Sequence, residues 1–237
     1  YFCQAFRRIM DNPKYLTVSD AYEKWRGYVT QFGFGSTLGT DFVNELPGLI
    51  EPLKYYENIY KKGRLKALNI LSLAIGQGEI GTTPLQMANM TAAIANRGYY
   101  FTPHIVRSVG DNPVTDTRFA VKHNIGIDSI NFEYIIDGMD QAVNRGGTGT
   151  IAALADIVVC GKTGTAQNPH GEDHSVFIAF APKYNPKIAI AVYVENAGFG
   201  STYAAPVASL IIEKYLKGNI SNKGLEDYIL TLKLIKK

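Results

Sequence analysis

Residues 161–167 read Gly-Lys-Thr-Gly-Thr-Ala-Gln, and they follow the apolar run Ile-Val-Val-Cys at 157–160. The next residues, 168–171, read Asn-Pro-His-Gly, which is a composition typical of a turn. Apolar, β-branched residues that are bounded by turn residues predict a β-strand. We therefore expect a strand over 157–167 that carries a Lys-Thr-Gly sequence near its end.

Two more strand-like segments follow in the C-terminal third, at 174–182 and 187–195, and short Pro, Gly and Asn turns join the three. Connections this short suit antiparallel neighbours. Most of the chain before them has the spacing of apolar residues that predicts helices. Helices are expected at 2–10, 17–32, 53–61, from Pro84 onwards, at 131–144 and at 203–217. Runs of helices followed by runs of strands predict an α+β fold, with an antiparallel sheet flanked by helices.

Capping signals mark several helix boundaries. A hydroxyl or amide side chain before a helix accepts hydrogen bonds from its first amides, and a glycine after it adopts the left-handed conformation that ends the helix. Starts are expected at Thr17, at Thr83, and at Ser129 or Asn131, and ends at Gly33 and Gly98. Residues 33–52 hold several glycines and prolines, which predicts a loop. The Lys-rich residues 218–237 are expected to form a peripheral helix.

The composition is that of a globular chain with little net charge. Of the 237 residues, 46% are hydrophobic and 19% are charged, whereas disorder would need the opposite balance. A net charge of +3 without a basic stripe gives no reason to expect nucleic acid as a partner. No stretch reaches the roughly 18 apolar residues of a membrane span. We therefore expect the chain itself to be soluble.

The cysteines and histidines do not suggest a metal site. Cys3 and Cys160 can form at most one disulfide, and the sequence leaves open whether they pair. Cys160 lies in an apolar run, which favours a buried thiol over a ligand or nucleophile. His170 and His174 are four residues apart, but a proline and a glycine between them argue against a shared helical face. We expect neither a metal nor a cofactor.

The Gly-Lys-Thr sequence at 161–163 also occurs at the end of phosphate-binding P-loops. That motif needs a glycine five residues before Gly161, where this chain has Asp156. It also needs a helix directly after the lysine and threonine, whereas Gly164 and a turn follow here. The phosphate site is therefore rejected. What remains is an ordinary strand end or the Lys-Thr-Gly strand of serine acyl-transfer enzymes.

Five further segments decide between these two interpretations. They read Phe-Gly-Phe-Gly at 32–35, Gly-Gln-Gly-Glu-Ile-Gly-Thr-Thr-Pro-Leu-Gln-Met at 76–87, Gly-Gly-Thr-Gly-Thr at 146–150, Phe-Ala-Pro at 180–182 and Val-Glu-Asn-Ala-Gly at 194–198. In order and spacing they resemble class B penicillin-binding proteins, and among these the elongation-type transpeptidases. The resemblance identifies residues 1–217 as the C-terminal part of a transpeptidase domain of the penicillin-binding-protein/β-lactamase type, with 218–237 as a Lys-rich tail. The N-terminal half of that domain is then expected outside this chain.

The resemblance implies a peptidoglycan D,D-transpeptidase, in which a serine attacks the D-Ala-D-Ala amide of a stem peptide and an amine resolves the acyl-enzyme. It implies catalytic roles for Lys162, as the motif lysine, and for Thr165, whose amide would face the oxyanion. It implies substrate-binding roles for Thr163, Gly164, Ala166 and Gln167. The implied partners are D-Ala-D-Ala stem peptides, β-lactam antibiotics and the cell-wall elongation machinery. The parent protein would be anchored in the inner membrane, with this domain in the periplasm.

One part of the family pattern is absent from the 237 residues. No Ser-x-x-Lys sequence occurs, and the nearest, Ser221-Asn222-Lys223-Gly224, has glycine in place of the lysine. Ser129-Ile130-Asn131 fits the second family motif, Ser-x-Asn, but we interpret it as the start of the helix at 131–144. We expect the nucleophile and the second motif upstream of Tyr1, and the chain to be inactive alone.

Three alternatives stay open on the sequence. The first is a β-lactam sensor, or another non-catalytic binding relative with the same motifs. The second is a serine β-lactamase, although the Gly- and Pro-rich segment 33–52 has no counterpart expected in those compact domains. The third is a scaffold for cell-wall assembly, in which Tyr55, Tyr56 and Tyr60 would contact a partner. We expect these tyrosines to pack in the core instead.

Overall fold

The computed structural model describes residues 1–113 and 116–232, which divide into two compact units. The first unit comprises Tyr1–Gln86 and Phe101–Gly126, and the second comprises Met87–Tyr100 and Ile127–Lys237. Helices and antiparallel sheets make up both units. The predicted α+β class, with an antiparallel sheet flanked by helices, is confirmed.

The elements are named in chain order. The α-helices are α1 (Phe2–Met10), α2 (Val18–Gln31), α3 (Leu53–Tyr60), α4 (Pro84–Ala95), α5 (Ser129–Asn144), α6 (Ala204–Lys217) and α7 (Lys223–Thr231). The strands are β1 (Leu49–Ile50), β2 (Ile80–Gly81), β3 (Tyr99–Phe101), β4 (Ser108–Val109), β5 (Asn112–Pro113), β6 (Lys122–Asn124), β7 (Cys160–Ala166), β8 (His174–Ala181) and β9 (Ile188–Val194). Helices of the 3₁₀ type lie at Ala67–Ile75, Thr117–Ala120 and Thr150–Ala152. No helix in the described part of the chain is long and apolar enough to cross a membrane.

Most predicted helix boundaries agree with the structure. The Thr17 side chain accepts a hydrogen bond from the amide of Asp20, whose carboxylate accepts one from the amide of Thr17, so the capping box at the start of α2 is confirmed. At the start of α4 the Thr83 hydroxyl accepts from the amide of Gln86 at 3.2 Å. Gly33 and Gly98 follow α2 and α4 with φ of 92° and 114°, as helix-ending glycines do.

The start of α5 was predicted wrongly. Its N-cap is Asp128, whose carboxylate accepts from the amide of Ile130 at 3.2 Å, and not Ser129 or Asn131. Ser129 is already the first helical residue, and the Asn131 side chain donates to the carbonyl oxygen of Asp128. A carboxylate directly before the helix satisfies its first amides as well as a hydroxyl does, so Asp128, one residue before Ser129, is the cap.

The core of the first unit is rich in aromatic side chains. Phe6 and Trp25 meet edge to face with ring centroids 5.5 Å apart, and Tyr22 meets Tyr56 in the same way at 5.1 Å. Burial raises the pKa of Tyr22 to about 12, and its hydroxyl donates to the carbonyl oxygen of Glu51 at 2.6 Å. Of the three tyrosines on α3, Tyr56 is fully buried and the other two, Tyr55 and Tyr60, pack against this core. Core packing, the role expected for these tyrosines, is confirmed.

A single buried amide organises the Gly- and Pro-rich loop at 33–47. The Gln86 side chain is 1% exposed, and its amide nitrogen, Nε2, donates to the carbonyl oxygens of Gly33, Ser36 and Pro47 at 2.8–3.0 Å. Its Oε1 accepts from the amide of Thr83 at 3.1 Å. The glutamine of the Thr-Pro-Leu-Gln sequence therefore supplies the hydrogen bonds that this loop, which lacks long regular structure, cannot make for itself.

Replacing Gln86 by leucine is expected to lower the free energy of unfolding by about 2 kcal/mol, because buried carbonyl oxygens then lose their donor. Urea unfolding of the protein that contains this chain measures the loss. Gln31→Leu is the matched control, since Gln31 is an exposed glutamine at the end of α2. Equal stability of the Gln86 and Gln31 variants would show that the loop does not depend on this amide.

The second unit is built on the predicted three-stranded meander. Strand order is β7-β8-β9, with antiparallel pairing throughout, and Lys162 lies opposite Ile178 in the register. Helix α5 packs on β7, and α6 packs on β8 and β9. The buried core between them is mostly small and β-branched: Val143, Ala152, Val159, Phe177, Ala179, Ala181, Ala204, Ala205, Ala208 and Ile212.

Strand β7 begins three residues later than predicted. Residues 157–159 precede it, and two of their carbonyl oxygens bond outside the strand pairing: that of Val158 accepts from the amide of Lys183, and that of Val159 accepts from the Asn144 side chain. Cys160, the first residue of β7, is fully buried, and burial raises the pKa of its thiol to about 12. Both cysteines are free thiols, and the expected buried character of Cys160 is confirmed.

The structure also contains one helix that was not predicted and one that is shorter than the segment in which it was expected. The 3₁₀ helix at Ala67–Ile75 was not predicted, since its nearly continuous apolar sequence lacks a three- and four-residue spacing. Helix α7 lies within the Lys-rich segment 218–237, where a peripheral helix was expected. Residues 233–237 of that segment lie outside the described residues.

Candidate active site

Strand β7 presents the Lys-Thr-Gly sequence at the edge of its sheet. It pairs with β8 on one side, and within the described residues no strand pairs with its other side. Alternation along the strand puts Lys162, Gly164 and Ala166 on one face and Thr163 and Thr165 on the other. Gln167 follows directly after the strand. An edge strand of this kind can accept an extended peptide along its free side.

The Lys162 side chain is exposed. Its Nζ donates to the carbonyl oxygen of Thr163 at 2.8 Å, a bond within the strand itself. None of the ion pairs found among the described residues includes Lys162. The ammonium group of Lys162 thus lies at the protein surface, beside the backbone of its own strand.

The half-buried Thr163 has a partner that was not predicted as a site residue. Its Oγ1 lies 2.7 Å from Oγ1 of Thr148, which belongs to the Gly-Gly-Thr-Gly-Thr turn after α5. A Cβ on Gly147 would lie 2.5 Å from the Cα of Ala142, so only glycine fits at that position of the turn. The glycines of this turn are visible in the sequence, but its contact with β7 joins residues 15 apart, which no local sequence pattern indicates.

A second glycine contact shapes the site around Gly164. A Cβ on Gly200 would collide with the carbonyl oxygens of Val176 and Gly164, so the loop after β9 lies against the backbone of β7 and β8. The buried Ser175 hydroxyl fixes this loop, because it donates to the carbonyl oxygen of Phe199 and accepts from the amide of Ala204. Gly200 was not predicted, and the roles of Gly164, Thr165, Ala166 and Gln167 towards a substrate stay predictions.

The turn between β7 and β8 is held by side chains. Asn168 Nδ2 donates to Asn196 Oδ1 at 2.6 Å, and the Asn168 amide donates to Asp173 Oδ1 at 3.2 Å. His174 lies on β8 and its Nδ1 accepts from the amide of Asn196 at 3.1 Å. The predicted turn is confirmed, and His170 lies in it while His174 lies on a strand, so the two share no helical face.

A buried ion pair lies behind the motif strand and was also missed. Lys183, in the turn between β8 and β9, is 7% exposed, and its Nζ donates to Asp137 at 2.7 Å and to Asp140 at 2.9 Å. Asn144 Nδ2 donates to Asp140 Oδ1 and to the carbonyl oxygen of Val159. These contacts connect the last turns of α5 to the residue before β7. They hold the backbone that positions the Lys-Thr-Gly sequence.

Comparisons with known proteins agree with this geometry. The model of the penicillin-binding protein transpeptidase domain matches residues 15–213. The peptidoglycan D,D-transpeptidase MrdA of Haemophilus influenzae is 33% identical over 214 residues, which is 82% of this chain and 33% of the relative. The stage V sporulation protein D of Bacillus subtilis is 31% identical over 221 residues, covering 86% of this chain and 32% of the relative. The chain therefore spans about a third of the length of the curated relatives it matches.

A solved structure extends the likeness to the backbone. Penicillin-binding protein 2 (PBP2) of Pseudomonas aeruginosa, in complex with WCK 5153, superposes with a TM-score of 0.77 at 29% identity, covering 94% of this chain and 47% of that one. The family model spans most of the chain, and the relatives named MrdA and the PBP2 structure agree on the type. The chain belongs to the penicillin-binding protein transpeptidase family, and within it to the PBP2/MrdA type of class B proteins.

Proposed function

We propose that the protein containing this chain is a serine-type peptidoglycan D,D-transpeptidase that also binds β-lactams. In this reaction a serine Oγ attacks the carbonyl carbon of the penultimate D-Ala, and the terminal D-Ala leaves as the acyl-enzyme forms. An amine of a neighbouring stem peptide then attacks the ester carbonyl, forms the cross-link and restores the serine. The observation that carries the proposal is the Lys-Thr-Gly sequence on an edge strand whose other side carries no strand among the described residues.

The roles proposed for β7 follow from its chemistry. Lys162 supplies a positive charge beside the nucleophile, and the Thr163 hydroxyl donates to the carboxylate of the terminal D-Ala or of a β-lactam. The amide of Thr165 contributes to the oxyanion hole. The substrate backbone lies along the strand edge formed by Gly164, Ala166 and Gln167, where a small residue at 164 leaves room for the acyl chain.

The nucleophile of this proposal comes from outside the 237 residues, because they contain no Ser-x-x-Lys sequence. The Ser-x-Asn triplet at 129–131 forms the first turn of α5, where its asparagine bonds to Asp128, and we assign it no catalytic role. We propose that residues 1–217 are part of one transpeptidase domain, with 218–237 as a tail. On this proposal the 237-residue chain by itself is inactive.

We also propose the setting in which the protein works. The parent would be anchored in the inner membrane with this domain on the periplasmic side, and it would act with the cell-wall elongation machinery. The likeness to proteins named MrdA and PBP2 supports this placement. Depletion of the protein should make rod-shaped cells round, whereas depletion of a β-lactam sensor should leave cell shape unchanged.

The direct test is the intact mass of the protein after incubation with benzylpenicillin. We expect the intact protein to gain the mass of one penicilloyl group and the 237-residue chain to gain none, since the chain holds the motif strand without the nucleophile. Acylation of the chain itself would place the serine within residues 1–237 and overturn the assignment. An intact protein that is acylated but does not transfer a stem peptide to an amine would be a sensor rather than a transpeptidase.

A further inference from the structure

Two hydroxyl groups face each other at the edge of the motif strand. Oγ1 of Thr148 and Oγ1 of Thr163 are 2.7 Å apart, which is the usual separation of two hydroxyl oxygens that share a hydrogen bond. Thr148 is exposed and Thr163 is half-buried, so the pair lies at the boundary between the protein and the space beside β7. Nothing in the family motif assigns a task to Thr148.

The turn that carries Thr148 is rigidly built. The amide of Gly149 donates to the carbonyl oxygen of Ala142 at 2.9 Å, which ties the turn to the last helical turn of α5. A Cβ on Gly149 would lie 3.3 Å from the ring of Phe177 on β8, a contact tighter than side chains normally make. Gly147 fits only as glycine, since a Cβ there would meet the Ala142 backbone. The backbone on both sides of Thr148 is therefore fixed, and its hydroxyl is aimed at Thr163 by packing.

The direction of the hydrogen bond follows from counting protons. Each threonine hydroxyl has one proton to donate and two lone pairs that accept. On the proposed function, Thr163 donates its proton to the carboxylate of the substrate. Thr163 then has no proton left for Thr148, so Thr148 must donate to Thr163. A hydroxyl that accepts one hydrogen bond becomes a stronger donor in the next, because consecutive hydrogen bonds polarise one another.

We propose that Thr148 is a positioning residue for carboxylate recognition. It donates to Oγ1 of Thr163, holds that hydroxyl in the rotamer that faces the substrate, and strengthens its donation to the carboxylate of a stem peptide or β-lactam. This inference rests on the proposed function of Thr163. The effect of Thr148 should be confined to ligands that carry this carboxylate, whereas a general contribution of the turn to folding would affect every ligand.

The test combines variants of Thr148 with two ligands in the intact protein. Thr148→Val removes the hydroxyl and keeps the shape, Thr148→Ser keeps the hydroxyl, and Thr150→Val is the matched control on an exposed threonine in the same turn. The ligands are benzylpenicillin and its methyl ester, which lacks the negative charge. The measurement is the second-order rate constant of acylation, followed by intact mass.

With benzylpenicillin, Thr148→Val is expected to be acylated about tenfold more slowly than the unmodified protein. The rate constants of Thr148→Ser and Thr150→Val should lie within about twofold of the unmodified value. With the methyl ester, all three variants are expected to react within about twofold of the unmodified protein, because no anion is present for the hydroxyl pair to recognise. If Thr148→Val slows acylation by both ligands equally, the proposal is wrong, because the turn would then act only through the structure of the site. Unchanged rates with benzylpenicillin would also overturn it.

A Thr163→Val arm separates this inference from the proposed function. If that variant slows benzylpenicillin much more than the ester while Thr148→Val does not, Thr163 recognises the carboxylate and the contribution of Thr148 is refuted alone. If Thr163→Val does not distinguish the two ligands, the role of Thr163 in the proposed function fails, and the proposal for Thr148 fails with it.

Discussion

Replacing Lys162 by alanine is expected to slow acylation of the intact protein by benzylpenicillin by about 10²- to 10⁴-fold, the range typical for loss of a proton-transfer or charge-stabilising group. Folding should be unaffected. Lys162 is exposed and bonds to the carbonyl oxygen of the next residue within β7, so the free energy of unfolding should change by less than about 0.5 kcal/mol. A large kinetic effect without a stability effect is the signature of a group that acts on the substrate.

Two further variants sharpen this experiment. Lys187→Ala is the matched control, because Lys187 is an exposed lysine directly before β9 on the same sheet. This variant should be acylated at the rate of the unmodified protein. Lys162→Arg keeps the positive charge but spreads it over a larger planar group that cannot take the place of the compact ammonium group beside the nucleophile, so it should recover only part of the lost rate. Acylation of Lys162→Ala at the unmodified rate would exclude the proposed role. A parallel loss of stability and activity would make Lys162 structural.

The parts of the fold that could be predicted are those whose cause is local. Strands β8 and β9 are mostly apolar and β7 follows directly on the apolar run at 157–159, and the short turns between the three permit only antiparallel neighbours. Capping residues and glycines marked most helix ends for the same reason. The error at α5, where Asp128 rather than Ser129 or Asn131 caps the helix, is a competition between equivalent caps one residue apart.

The parts that could not be predicted are contacts between distant positions. The Thr148–Thr163 hydroxyl pair, the approach of Gly200 to Gly164, and the Lys183–Asp140 ion pair each join residues from different elements. Each was invisible in composition and periodicity, because these report only which face of an element is buried. The Lys-Thr-Gly sequence could be found from the sequence, but the groups that hold it in place could not.

The largest stability effect is expected at the ion pair behind β7. Lys183 and Asp140 are 7% and 6% exposed, and their charged groups are 2.9 Å apart. Lys183→Met should lower the free energy of unfolding by about 3–5 kcal/mol at neutral pH, since it leaves the Asp140 carboxylate buried without its partner. Arg145 lies 3.8 Å from Asp140 but its side chain is mostly exposed, so water screens its charge and it should offset only a small part of the loss. Urea unfolding of the intact protein measures the effect.

The pH dependence tests whether the charge on Asp140 is the cause. Burial raises the pKa of Asp140, but the hydrogen bonds from Lys183 and Asn144 outweigh it and hold the pKa below its usual range. A carboxyl group whose pKa is lowered by folding contributes stability that is present above its unfolded pKa of about 4 and is lost as the pH falls through the folded value. Without Lys183 the carboxyl group of Asp140 stays buried and has lost its main partner, so its pKa rises. The difference in stability between the unmodified protein and Lys183→Met should therefore be largest at neutral pH, shrink as the pH falls through the raised pKa of Asp140 in the variant, and be lost below the lowered pKa of Asp140 in the unmodified protein.

A double variant decides between an unpaired charge and a packing defect. Lys183→Met with Asp140→Leu removes both charges, and replacement of a buried ion pair by apolar side chains of similar size is often nearly neutral. We expect it to recover most of the stability that Lys183→Met loses, with Lys187→Met as the exposed control. If the double variant is instead as unstable as the single one at every pH, the loss comes from the shape of the lysine side chain. The electrostatic explanation of how α5 is held against β7 would then be wrong.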